Sequence, residues 1–313
     1  MKYQGKKLSQ IDPVEASCAT AEHGWIVIEG SNASPEEFAE WYLDTFYTLS
    51  PDIWCSDTTH SNLFWRVTND LVDDKNKGLF ANDDVDWHSD LIPEIDSQEV
   101  VGLYAKTITY HTETWICSST KYWKSLSTEI QDWLRSLEVE ILNKGSNNKT
   151  PFLKPDESQW ERGDWDNQYT ETVVNGIRKN RQLSQIKNSS NISDVDSKKF
   201  KEHRGVVTQH KLVTNHPLEV PGVFFPPYEI VNFYKDNNVI ENAENLYQMI
   251  YNDLVLSGKY TYKHVWKPGD ILLMDQVNTI HRRTKVLDNK SRELLRAAGW
   301  YKSNVRRHFD YVL

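Results

Sequence analysis

Asp86-Trp87-His88-Ser89-Asp90, taken together with Thr279-Ile280-His281, decides how the chain must fold. In extended backbone successive side chains point to opposite faces, so His88 and Asp90 share one face while Ser89 takes the other. One imidazole and one carboxylate then look into a common cavity. A second imidazole from a remote strand, His281, completes a two-histidine, one-carboxylate triad whose open coordination positions suit non-heme Fe(II). Neither half could hold a metal alone, and a core of this size can join them, so residues 1–313 are expected to form one domain.

The stretches around these two segments have the pattern of a β fold. Strands are expected at Trp25-Ile26-Val27-Ile28, from Ser61 to Val67, at Val100 to Ala105 and from Thr107 to Ser118. More follow from Gly205 to Val213, at Val223-Phe224-Phe225, from Tyr260 to Trp266, at Ile271 to Met274 and from Arg292 to Tyr301. Helices are expected from an Asp12 cap with Pro13 to near Gly24, from Ser34-Pro35-Glu36-Glu37 to about Tyr47, from Tyr122 to Leu142 and from Asn242 to Leu256. Many short strands with Gly and Pro turns and no βαβ rhythm point to a mainly β, α+β fold with a jelly-roll core of the cupin sort. The polar stretch at about 143–204 has too few apolar residues to bury a surface of its own and is expected to be an insertion or lid.

Composition narrows the function. A net charge of -9 argues against nonspecific nucleic-acid binding, which needs clustered Lys and Arg. The polar N-terminus lacks the apolar segment of a secretory signal, and no apolar run reaches the roughly 20 residues that span a bilayer. Cys18, Cys55 and Cys117 show no paired or zinc-ligand spacing, as expected of reduced thiols in a cytoplasmic protein. Nothing here sets a subunit number.

Arg292, Leu294 and Arg296 fall at i, i+2 and i+4, so on a strand both guanidiniums share one face. Two buried arginines are unfavourable without anionic partners. A dicarboxylate cosubstrate would supply one partner bidentately, with the Thr114 hydroxyl adding a hydrogen bond; acidic side chains on the sheet are the alternative. Trp65, Phe80 and Trp87 are candidate aromatic walls, Trp87 also a candidate substrate contact.

With these residues assembled, the chain resembles the Fe(II)/2-oxoglutarate-dependent dioxygenases of the taurine dioxygenase (TauD/TfdA) type. The resemblance is carried by Trp87-His88-Ser89-Asp90, Thr114-Trp115, the run from Trp266-Lys267-Pro268-Gly269-Asp270 to Gln276, His281-Arg282-Arg283 and Arg292-Glu293-Leu294-Leu295-Arg296, and it covers most of Gly24 to Tyr301. It implies a double-stranded β-helix with iron on His88, Asp90 and His281. It also implies 2-oxoglutarate on the metal with its far carboxylate on Arg292 and Thr114, and Arg296 facing an anionic group of the substrate. O2 and 2-oxoglutarate would be consumed to give succinate and CO2, coupled to hydroxylation or desaturation of a C–H bond. Halogenating relatives carry a small residue where Asp90 stands, which disfavours that outcome. The substrate is expected to be a small polar molecule such as an amino acid, whose amine would suit the acidic run Asn82 to Asp86 and whose acid would suit Arg296. Competing readings are a taurine or sulfonate dioxygenase, a non-catalytic cupin-like module holding a metal or small ligand, and a zinc hydrolase, which leaves the two arginines unexplained.

Overall fold

The computed structural model describes residues 1–47, 64–69, 84–90, 99–142, 207–214, 216–286, 290–302 and 305. The expected insertion at about 143–204 lies outside the described residues. Helix α1 (Pro13–His23) starts where the Asp12 carboxylate accepts a hydrogen bond from Glu15 N at 2.8 Å, and Pro13 fills a first-turn position that needs no N–H. It stops at Gly24, whose φ of 80° lies in the left-handed region. Helix α2 (Pro35–Thr45) opens on a capping box in which Ser34 and Glu37 each accept from the other's backbone N–H.

A seven-stranded sheet has the order β1 (Lys2–Gln4), β2 (Trp25–Glu29), β13 (Ile271–Asp275), β6 (Val100–Ile108), β15 (Arg292–Tyr301) and β3 (Phe46–Tyr47), with β4 (Trp65–Thr68) also paired to β15. A four-stranded sheet has the order β12 (Thr261–Val265), β7 (Glu113–Ser118), β14 (Thr279–Arg283) and β5 (Val85–His88). Their facing sides share an apolar interior of Trp25, Val27, Leu103, Ile116, Leu272 and Leu294. Alternation sends Ile26, Ile28, Leu273 and Leu295 to the other side of the larger sheet, against Phe38, Tyr42 and Phe46 of the helical layer. Burying each such side chain contributes roughly 1.5–3 kcal/mol. A half-exposed pair such as Lys2–Glu29 contributes about 0–1 kcal/mol. The core therefore holds the sheets together, and this is the jelly-roll architecture expected.

A third sheet, β11 (Asn238–Val239), β10 (Ile230–Lys235), β8 (Leu137–Leu142) and β9 (Val207–Lys211), stands outside the smaller one. It corrects the helix expected from Tyr122 to Leu142. Helix α3 (Ser119–Ser125) ends at Leu126, Ser127 caps α4 (Thr128–Arg135), and the chain then becomes a strand. Leu137, Val139 and Ile141 are all buried, a two-residue period that wins over the helical reading once a sheet is there to receive it. The single strand expected from Thr107 to Ser118 is two, β6 and β7, joined by a turn. Val223-Phe224-Phe225 makes only an isolated bridge from Val223 to Val213. The helix expected from Asn242 is α5 (Ala243–Ile250), continued by a π-helical turn over Tyr251–Leu256. Among the described residues no helix is long and apolar enough to cross a membrane.

Gly24 links this fold to the candidate site, since a Cβ there would lie 2.7 Å from Thr279 Cγ2 and 2.9 Å from Ser118 Oγ. Gly24→Ala should therefore cost about 2–4 kcal/mol, from left-handed strain plus overpacking, read as a lower denaturant midpoint at unchanged slope.

Candidate metal centre

Antiparallel pairing of β5 with β14 sets His281 directly opposite His88, and the ring centroids are 4.2 Å apart. Asp90 lies just beyond β5, in a bend pinned from the β13–β14 turn. Its backbone N donates to Gln276 Oε1 at 3.0 Å, and Ser89 Oγ donates to Gln276 O at 3.0 Å. One ligand atom each from His88, Asp90 and His281 falls within 4.8 Å of the others. Two imidazole nitrogens and one carboxylate oxygen converging from two adjacent elements fit a divalent iron with coordination positions to spare.

The surroundings orient these donors. His88 Nδ1 lies 2.5 Å from the carbonyl oxygen of Asp86, which can only accept, so Nδ1 carries the proton and Nε2 is the nitrogen whose lone pair can ligate a metal. Nε2 faces Asp90 Oδ1 at 3.7 Å. The other carboxylate oxygen, Oδ2, accepts from Arg296 Nε at 3.3 Å and Nη2 at 3.2 Å. Arg296 thus grips Asp90 in this structure, whereas the resemblance implied that it faces the substrate.

Arg292 reaches the same interior from the larger sheet. It shares its face with Leu294, which packs inside, while Leu295 packs on the helical side. Only 2% of Arg292 is exposed, its Nε makes no hydrogen bond, and no acid of the described residues lies within ion-pair distance. Burial first, and then the charge of Arg283, pushes the guanidinium well below its ordinary pKa. A cation in that state fits an anionic ligand. Thr114 Oγ1 accepts from Trp266 Nε1 at 2.8 Å, which leaves its own O–H to donate.

Two expectations are corrected. Trp87 alternates away from His88 and packs in an apolar cluster with Cys117, Phe225 and Ile280, outside the smaller sheet, so it lines no substrate space on the His88 side. Asp86 is taken up internally, accepting from its neighbour Trp87 N at 2.8 Å and from Tyr228 Oη at 2.5 Å, so it is not offered to a substrate amine. Asn82, Asp83, Phe80 and the Trp65 side chain lie outside the described residues. Gln276 and Arg283 stand in the sequence only as members of the stretches that carry the resemblance, with no role given to either; the signals were a polar residue two positions after the apolar run Ile271 to Met274 and a second arginine directly after Arg282.

The chain matches the model of the taurine catabolism dioxygenase TauD, TfdA family over residues 6–298. Among solved structures it is similar to a taurine dioxygenase from Burkholderia xenovorans, at 15% identity and a TM-score of 0.59, over 96% of this chain and 86% of that one. It is similar also to AAD-2 in complex with Mn(II) and N-oxalylglycine, at 15% identity and a TM-score of 0.57, over 97% and 94% of the two chains. At such identities the solved structures establish a shared fold. A comparison with curated proteins returns no match. The family match spans nearly the whole chain and includes all three converging donors: the chain belongs to the TauD/TfdA family and is an Fe(II)- and 2-oxoglutarate-dependent dioxygenase.

Proposed function

We propose that His88, Asp90 and His281 hold the iron, that Arg292 and Thr114 receive the far carboxylate of 2-oxoglutarate, and that the enzyme hydroxylates a C–H bond of a small polar molecule. An amino acid or derivative is the first class to test, and a sulfonate the second. The observation that carries the assignment is the convergence of three donor atoms within 4.8 Å, across the interior from a buried arginine. Because those donors come from β5, the bend after it and β14, the whole of 1–313 is treated as one oxygenase domain.

When bound, iron with 2-oxoglutarate and O2 supplies the oxidising power, through decarboxylation of the cosubstrate to succinate and CO2. The chain's own residues position and exclude water. The Asp86 carbonyl fixes the His88 tautomer, and Gln276 fixes the bend that carries Asp90. Arg296 holds Oδ2 of Asp90 and so turns Oδ1 toward His88. The apolar interior behind the donors keeps the site's polar contacts from competing with water.

Anaerobic addition of Fe(II) and 2-oxoglutarate should produce a weak visible charge-transfer band. His88→Ala and His281→Ala should both lose it; retention of the band in both variants would remove these residues from the metal. With O2, amino acids and sulfonates screened side by side should show at least one compound that stimulates succinate release, and a panel with no stimulation would reject the small-polar-substrate assignment. Arg296→Gln should weaken Mn(II) binding by about 10-fold or more, the usual effect of losing a group that orients a ligand. Titration calorimetry measures this directly, and an unchanged affinity would return Arg296 to the substrate.

A further inference from the structure

Arg283 is a buried cation to which the reading above gives no work. It is 6% exposed and lies two residues beyond His281 on β14. Its neighbours settle which way it points. Ile280 packs in the cluster outside the smaller sheet, and the Arg282 guanidinium lies outside as well, 4.9 Å from the Trp115 ring centre and 5.9 Å from that of Trp87. His281 and Arg283 therefore share the inward face. On β7, His281 is registered with Ile116, an interior residue, and Arg283 with Thr114, the hydroxyl assigned to the far carboxylate. Two residues along a strand are roughly 6.6 Å. That separation is on the scale of a five-carbon dicarboxylate held by the metal at one end.

Across the interior stands Arg292, and the charge of Arg283 reaches it. Tyr110, in the turn that follows β6, acts on Arg292 as well, and its hydroxyl is buried with no hydrogen bond among the described residues. The Tyr110 O–H and the Arg292 Nε–H, both buried and without acceptors among the described residues, are donors awaiting an oxygen ligand. Resting on the dioxygenase reading, we propose that Arg283 is a second cosubstrate-binding residue, which with Arg292, Thr114 and Tyr110 encloses the far carboxylate of 2-oxoglutarate. Two guanidinium forks can each take one carboxylate edge. The pocket then favours a 2-oxo acid with a second carboxylate over one without.

The test is equilibrium binding to the anaerobic Mn(II)-loaded full chain, comparing 2-oxoglutarate with pyruvate, which has the chelating end and lacks the far carboxylate. Arg283→Gln should raise the Kd of 2-oxoglutarate at least 10-fold and leave those of pyruvate and Mn(II) within twofold. Tyr110→Phe should raise it severalfold with the same selectivity. Arg283→Lys keeps a cation at the position and guards against a folding defect; it should bind 2-oxoglutarate more weakly than the wild type, because an ammonium has no fork. Equal weakening of 2-oxoglutarate and pyruvate, or no weakening of either in both Arg283 variants, overturns the assignment of Arg283. A wild-type protein that binds no 2-oxoglutarate overturns the cosubstrate pocket as a whole, and this proposal with it.

Discussion

The register between β5 and β14 is the constraint on which everything else depends. A slip of one residue would turn His281 to the outer face of the sheet and bring Ile280 or Arg282 inward. Side-chain alternation alone cannot prevent this, because β5 is only four residues long, Val85–His88. The register is held from the turn between β13 and β14. Asp275 accepts from Val277 N at 2.9 Å and faces His216 Nε2 at 3.2 Å, both side chains being fully buried. His216 Nδ1 accepts from Leu218 N, so its proton sits on Nε2. Asn278 adds hydrogen bonds to Thr214 and Val220, and Thr279 Oγ1 donates to the Asp275 carbonyl. Gln276 extends the same turn to Ser89 and Asp90. One polar knot thus sets the position of two donors and the start of the strand that bears the third.

Charge is distributed against this scaffold with a clear asymmetry. The apolar interior holds its groups by burial, at a few kcal/mol per large side chain. The arginines that enter the same space are unfavourable there unless an anion meets them. Arg296 has the Asp90 carboxylate. Arg292 has no acid among the described residues, and the physical consequence is a preformed place for one, prepared before the ligand arrives and therefore needing little rearrangement on binding. Glu293, next in sequence but on the opposite face, shows the ordinary outcome, with Arg66 and Lys106 on its carboxylate.

Much of this was legible in the residues. The capped starts of α1 and α2, the stop at Gly24 and the strands at Trp25, Ile271 and Arg292 are local signals, decided by hydrogen-bonding groups and periods of two or 3.6 residues within a few positions. Leu137 to Leu142 was misread because its preceding residues are helical and its own alternation acquires meaning only beside β9 and β10. Asp86 and Trp87 were misread for a related reason. Side-chain type suggests what a residue could touch, but Tyr228 is 142 positions from the carboxylate it occupies.

By itself, then, the sequence determined the donor types, their parity along each strand, the likeness to one enzyme family and the presence of arginines that need anions. Parity is a property of covalent geometry and survives into any extended backbone. The tertiary structure alone decided that His88 and His281 face each other, that Gln276 ties down Asp90, that Arg296 spends its fork on that same carboxylate and that Arg283 stands beside Thr114. Those are matters of register and close packing between segments far apart in the chain, and no local pattern encodes a distance.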